Sequence, residues 1–257
     1  KRGVSLLKKQ TSIFYDTNNL TRETIYFYDD KNQLTSSKET NSKNEEIETK
    51  IKYPYNYTVY PYTHMVTNNS LTNIIEKETK LNSERVQLDK FDYNIQYISD
   101  TDTYIYPINK YSQAKGSQPL EDRIIYHNYD NKGNPTEVSK KDGTKIYYVW
   151  GYNKTHLIAK IEGYISFSSA QHTAINNAIT ASNSDTSQAT EDLLLDKLKL
   201  LQDSFNTSTA QVTSLTYDPL IGVTSVTDPR GQTIYYHYDD FNRLEFVKDK
   251  EGNILSK

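Results

Sequence analysis

The side chains that could support chemistry in this 257-residue chain are five histidines (His64, His127, His156, His172 and His237) and the adjacent carboxylates Asp29-Asp30 and Asp239-Asp240. Zinc chemistry asks for imidazoles at a fixed helical spacing, and no His-Glu-x-x-His or related spacing occurs. Calcium asks for several oxygens converging on one point. Neighbouring residues of a strand point to opposite faces, so each carboxylate pair is better suited to capping a turn. Nucleophilic catalysis has no support either: there is no cysteine, no Gly-x-Ser-x-Gly elbow and no glycine loop that would cradle a phosphate. The expectation is a protein that is not an enzyme, with no catalytic residue, cofactor or metal. His127 and His237 fall beside tyrosines in strand-like segments, where packing in a ladder is the expected role.

The elements that would position any site are legible in a repeat. Gly143-Thr144-Lys145-Ile146-Tyr147-Tyr148-Val149-Trp150 matches Gly231-Gln232-Thr233-Ile234-Tyr235-Tyr236-His237-Tyr238 in a Gly-x-x-Ile-Tyr-Tyr-x-aromatic frame. A second frame is Tyr-Asp followed by a turn residue: Tyr28-Asp29 with Asn32, Tyr129-Asp130 with Gly133, and Tyr238-Asp239 with Asn242. Tyr217-Asp218 has Gly222 one residue late. Glycine and asparagine tolerate positive φ, and aspartate can accept hydrogen bonds from backbone two residues on, so each Tyr-Asp is expected to end a strand. A second turn follows ten residues after the first, from Gly133 to Gly143 and from Asn242 to Gly252. Alternation along the strand puts Ile234, Tyr236 and Tyr238 on one face and Tyr235 and His237 on the other.

Composition agrees with sheet. Tyrosine occurs 23 times, and its flat ring with a polar tip suits half-exposed strands. Apolar residues make up 35%, low for a compact α/β enzyme. Lys and Arg number 30 against 33 Asp and Glu, without a long run of either sign, so nucleic acid is not an expected partner. No run of eighteen apolar residues predicts a membrane-spanning helix, and no signal-peptide core precedes the first polar stretch. Both ends fall inside the repeating pattern, which suggests a piece of a longer chain.

Asp228-Pro229-Arg230-Gly231 through Tyr238-Asp239-Asp240-Phe241-Asn242-Arg243-Leu244 resembles the YD repeats of Rhs proteins. The resemblance extends to residues 121–152, is weaker at 24–46, and fades as a strict repeat at 53–115 and 164–210. It implies a mainly β fold of the YD/Rhs type, a sheet wound as a spiral that in complete family members can close around a cargo polypeptide. The function it implies is that of a structural wall segment that encapsulates or presents a C-terminal toxin or effector. The expected location is secreted or at the cell surface. The expected partners are the rest of its own chain, a secretion system or outer-membrane proteins, and glycans. Adhesion or carbohydrate binding is the alternative function, and a substrate of an outer-membrane secretion machine a further one. Some Rhs proteins cleave themselves at an Asp-Pro-x-Gly-Leu junction. Neither Asp218-Pro219-Leu220-Ile221-Gly222 nor Asp228-Pro229-Arg230-Gly231 has leucine after glycine, so no catalytic aspartate is carried over.

Two stretches depart from the repeat. Residues 53–62 interleave tyrosines with two prolines, which favours an edge strand or an extended excursion. Residues 168–206 carry helical signals: a Ser168-x-x-Gln171 capping box, then Ala174, Ile175, Ala178 and Ile179, and later Leu194, Leu198, Leu201 and Phe205 on one face. That pattern predicts a helical hairpin whose leucine face docks on the sheet edge, with reception of another protein as the alternative. The organisation expected is a repeat sheet over 1–163, the hairpin over 164–210, and a second repeat sheet over 211–257.

Overall fold

The computed structural model describes residues 5–15, 20–98, 103–163 and 166–256. In chain order the strands are β1 (Lys9–Phe14), β2 (Leu20–Tyr28), β3 (Leu34–Thr40), β4 (Glu46–Lys52), β5 (Glu76–Leu81), β6 (Glu84–Tyr93), β7 (Gln96–Ile98), β8 (Thr103–Ile105) and β9 (Ile108–Lys115). They continue as β10 (Glu121–Tyr129), β11 (Pro135–Lys140), β12 (Lys145–Gly151), β13 (His156–Gly163), β14 (Ala210–Asp218), β15 (Gly222–Thr227), β16 (Thr233–Tyr238), β17 (Leu244–Asp249) and β18 (Ile254–Ser256). The helices are α1 (Tyr62–Thr67), α2 (Ser169–Asn183) and α3 (Gln188–Asp203).

All strands except β7 and β8, which pair with each other, form one 16-stranded sheet whose order follows the chain. The mainly β class and the inserted helical hairpin are both present. The stretch at 53–115 lacks the strict repeat, yet it contributes β5, β6 and β9 to the same sheet. The chain divides into two compact units, 1–125 and 126–257, with the division inside β10.

In the first unit, residues 53–62 form neither an edge strand nor an extended run. Pro54 opens a 3₁₀ turn, Pro54–Asn56, and Pro61 caps α1, because a fixed φ and a missing N–H suit the first turn of a helix. Tyr62 and Met65 of α1 bury with Ile75 and Tyr93 in a small core. Beyond that core the unit's sheet carries polar pairs on both faces, although one face also sets Ile47 opposite Leu81 and Ile51 opposite Lys77. On one face Lys52 pairs with Glu76 at 2.9 Å, and Lys110 with Asp92 at 3.5 Å and Asp122 at 3.4 Å. On the other, Thr79 stands opposite Thr49 and Gln87, and Lys77 opposite Asp89. Asp89 accepts from Tyr111 Oη at 2.7 Å, Gln113 Nε2 at 3.0 Å and Gln87 Nε2 at 2.8 Å. Burial works to raise the Asp89 pKa, but these donors outweigh it and hold the carboxyl low.

The core of the second unit lies between the helical hairpin and β12–β14. Tyr147, Val149, Ala159, Ile161, Ala210 and Val212 face the helices, as strand alternation and the pairing of Val149 with Ala159 and Ile161 with Val212 require. A bulge between Val149 and Trp150 leaves Ile158 as the extra residue, and it joins the same core.

Candidate functional site

The repeat resolves into a loop and an aromatic latch. In the loop Asp29–Gln33, the Asp29 backbone N–H donates to Gln33 O at 3.0 Å, and Asn32 N–H to Asp29 O at 3.1 Å. Asn32 takes the left-handed conformation, φ 62°. The Asp29 carboxylate accepts from the backbone N–H of Lys31 and of Gln33, both at 2.9 Å. This is a three-residue hairpin loop, a turn closed by one residue of positive φ, with its spare amides capped by the leading side chain.

The same bonds recur at Asp130 with Gly133 (φ 84°), Asp228 with Gly231 (φ 80°) and Asp239 with Asn242 (φ 60°), and the Asp249 loop with Gly252 (φ 89°) keeps the backbone pair and the Asn253 N–H bond to the carboxylate. They recur also at Asn41 with Asn44 (φ 64°), a loop that the Tyr-Asp frame misses because asparagine leads it. Gly143 (φ 83°) closes a loop led by Lys140, where Asp142 instead caps Thr144.

Gly222 differs from the turn role read in the sequence. It begins β15 opposite Asp218 and has no positive φ. The reason for glycine there is space, since a Cβ would stand 2.6 Å from Tyr238 Oη.

That contact belongs to the latch. An aromatic residue closing a strand sits at a bulge with the next strand and donates its polar tip back to a carbonyl at the start of the preceding one. Tyr238 Oη donates to Val223 O at 2.9 Å and Tyr28 Oη to Leu7 O at 3.0 Å, with register shifts at His237/Tyr238 and Phe27/Tyr28. Trp150 Nε1 donates to Pro135 O at 2.8 Å, beside the shift at Val149/Trp150. Tyr93 Oη donates to Ile74 O at 3.0 Å beside the shift at Asp92/Tyr93, and Tyr53, one residue past β4 and without a register shift, makes the same bond to Leu34 O at 2.9 Å. The stretch at 53–115 thus keeps the latch where it loses the Tyr-Asp letters. Tyr238→Phe, which removes the donor and keeps the ring, is expected to lower the unfolding free energy by about 0.5–1.5 kcal/mol, read by urea titration.

The remaining strand aromatics pack. Tyr129 stacks on Tyr126 at 6.0 Å, and Tyr217 lies 4.7 Å from His156 and 5.8 Å from Tyr152. Tyr147 tilts over Phe167 at 4.6 Å, while Tyr148 and Tyr236 are half-buried in β12 and β16. Tyr235 is half-buried too, and its pKa is raised, by burial first and then by Asp192 and Glu191 of α3. His237 stacks on Phe246 at 4.6 Å, and His127 Nε2 lies 2.8 Å from Ser139 Oγ. Among the described residues no three His, Asp or Glu side chains converge as a metal site needs.

The helical hairpin docks within the chain, which corrects the partner-face alternative and the expected place of docking. Leu194, Leu198, Leu201 and Phe205 are buried against the sheet, so this face is covered within the chain and is not open to another protein. The hairpin also packs on a sheet face and not on an edge, because β13 and β14, which it joins, pair directly with each other. Both helices are capped as their sequences dictate. Ser168 Oγ accepts from Gln171 N at 3.3 Å while Gln171 Oε1 accepts from Ser168 N at 2.8 Å, and Ser187 with Thr190 repeats the device.

Polar contacts fix the dock. Ser182 Oγ accepts from Tyr152 N at 3.2 Å and donates to Ile179 O at 2.8 Å. Tyr152 Oη donates to Asp185 Oδ2 at 2.8 Å and accepts from Tyr217 N at 3.0 Å. Glu191 Oε1 accepts from Thr216 Oγ1 at 2.9 Å and from Thr224. Gly163, where the chain leaves the sheet, has no room for a side chain: a Cβ would lie 2.1 Å from Thr209 O.

The turn carboxylates also set an acid response. The Arg243 side chain holds Asp239 below the ordinary 3.8, the Asn253 amide does the same for Asp249, and the Thr144 backbone N–H for Asp142. A depressed carboxylate stabilises the fold above its unfolded pKa, and that contribution is lost as pH falls through the folded value. Thermal melts are expected to shift downward as pH drops below about 4, with a shallower slope in Asp239→Asn and Asp249→Asn variants.

Loop, latch and docked hairpin define a repeat-built antiparallel sheet that carries a helical hairpin. No family model and no curated protein matches the chain. Solved structures that it is similar to include a TcdB2-TccC3 crystal structure (98% of this chain, 12% of that one, 11% identity, TM-score 0.35) and a TcdB2-TccC3-Cdc42 crystal structure (98% and 12%, 12% identity, TM-score 0.36). A Photorhabdus luminescens Tc holotoxin pore is similar over 92% of this chain at 9% identity and a TM-score of 0.32. The chain spans about 12% of the length of each of these.

Proposed function

We propose that this chain is a wall segment of a toxin-associated, shell-like β-sheet protein that encloses or presents a cargo polypeptide, exported to the cell surface or beyond. The observation that carries the reading is the two-sided exposure of the first unit, where no residue of β4 or β5 is fully buried. An ordinary antiparallel sheet buries one face and wets the other. Here Lys50 opposes Glu78 on one face, Thr49 opposes Thr79 between the pairs Ile47–Leu81 and Ile51–Lys77 on the other, and neither face of β4 and β5 is closed off from solvent. A single layer solvated on both sides is what a partition between two aqueous spaces requires. The Tyr-Asp resemblance to Rhs repeats supports the same reading.

These 257 residues contain no cysteine, so a thiol introduced on each face is read against the unsubstituted parent polypeptide as background. Lys50→Cys and Thr49→Cys, placed in the parent polypeptide, should both react with a small maleimide. A polymer-linked maleimide should reach only one of them. Equal labelling of both by the large reagent would overturn the wall reading.

A further inference from the structure

We propose that the cleft between α3 and strands β14–β16 binds a short peptide with both ends free, its ammonium at one end of the cleft and its carboxylate at the other. The wall reading does not require this site, and the two stand or fall separately.

The cleft has a volume of about 680 Å³, well within the range of small-molecule sites. α3 packs on β14 in the core that Leu198 and Val212 share, while the sheet continues into β15 and β16, so the helix flank and the sheet face become its two walls. Ser214, Thr227 and Thr233 stand opposite one another across β14, β15 and β16 and form the floor. The Thr227 and Thr233 hydroxyls lie 2.9 Å apart, and after that bond each keeps capacity for another. A hydroxyl both donates and accepts, which is what the N–H and C=O groups of a peptide need.

Charge is sorted along the cleft. Asp192 and Asp196 lie one turn apart on the flank of α3. Burial raises the Tyr235 pKa and the charges of Asp192 and Glu191 add to it, so that phenol lies toward the acidic end. At the other end Gln202 Nε2 donates to Asp228 O at 2.8 Å and to Val212 O at 3.3 Å, which holds the loop carrying Pro229 and Arg230 against the end of α3. Lys250 joins Arg230 there, since it follows Asp249, the β17 residue opposite Ile234 near the start of β16. Lys199 is spent on Asp203 at 2.7 Å. Among the described residues, the side chains of Asp196, Arg230 and Lys250 have no ion-pair or hydrogen-bond partner.

This arrangement selects among ligands. The rise of α3 puts Asp192 and Asp196 about 9–15 Å along the helix from Gln202, at whose level the basic loop is held. An extended chain of about three or four residues spans that distance, and a single amino acid does not. A purely anionic ligand would meet Asp192 and Asp196, and a purely cationic one Arg230 and Lys250. An apolar ligand would strip water from both ends and return no hydrogen bond.

Calorimetric titration of the full chain with trialanine and tetraalanine, with their N-acetylated and C-amidated forms, and with free alanine tests this. Saturable binding of at least one free peptide is expected. Blocking either end should weaken it about tenfold or more, because a hydrogen bond between charged groups is lost. Free alanine should bind no better than the blocked peptides. Asp196→Asn should weaken the free peptide by a similar factor, and Arg230→Gln likewise, which serves where Asp196→Asn fails to fold. Absence of saturable heat with either free peptide, with the chain shown folded by a cooperative melt, would sink the proposal. So would equal affinity for free and blocked peptides, or binding that both variants leave unchanged.

Discussion

Leu198→Ala should cost about 2–5 kcal/mol of unfolding free energy, the range for removing a fully packed leucine from a core that relaxes only in part. Leu198 is 1% exposed and sits in α3 among Leu194, Leu201 and Val212. Two residues further on, Leu200 is 58% exposed, and Leu200→Ala should change stability by no more than about 0.5 kcal/mol. Urea titration of the two variants side by side measures the contrast. If both change stability equally, the hairpin is not docked as described. Gly151→Val probes the same contact from the strand side. A Cβ at Gly151 would stand 2.2 Å from Ser182 Oγ and 2.7 Å from Ile158 Cγ2, so α2 must lift away from β12. The expected signature is a lower urea midpoint with new binding of an apolar dye, since lifting α2 uncovers Val149, Ala159 and Ile161.

The sequence made the loops legible because their chemistry is local. Asp130 and Gly133 cap and close a turn with groups at most four residues apart, so their spacing survives in the letters. The helix caps at Ser168 and the leucine stripe of α3 were legible for the same reason. What the stripe packs against was not, since both a neighbouring sheet and a foreign protein satisfy an apolar face. The direct pairing of β13 with β14, which decides it, is a relation between residues some fifty positions apart: Ala159 lies opposite Ser214. Gly222 was misread because a glycine beside a Tyr-Asp pair looks like a turn residue, whereas its role depends on Tyr238 from another strand. Phe167 and Ile175 carry no motif, and they join the core beside Tyr147 only through the packing of α2 on β12. The latch shows a middle case. Its aromatics are visible in the sequence, but their carbonyl partners lie fifteen to twenty-one residues away, as with Tyr238 and Val223 or Tyr28 and Leu7.

The abundance of tyrosine that first suggested a sheet also predicts how the protein fails in alkali. Burial pushes the Tyr111 phenol up to about 12, with Asp89 adding to the effect. Burial likewise raises Tyr57, helped by Glu76, and Tyr62, helped by Asp92. Tyr152 is raised by burial and by Asp185, against the opposing N–H of Tyr217. Each of these phenols keeps its proton in the folded chain at pH values where the unfolded chain, with a pKa near 10.0, releases it. Their contribution is therefore complete below about pH 10 and is lost as pH rises through the folded values. One such group adds a slope of up to about 1.4 kcal/mol per pH unit, less where solvent screens it, and several acting together should unfold the chain within a narrow interval. Tyrosinate absorbance followed with far-ultraviolet circular dichroism should show a steep rise coincident with loss of the β signal. Gradual ionisation of every tyrosine with the β signal intact would contradict the burial of these phenols. In a Tyr57→Phe/Tyr152→Phe double variant two of the linked protons are gone, so the step should become shallower even though the sheet loses the hydrogen bonds that Tyr152 makes to Asp185 and Tyr217.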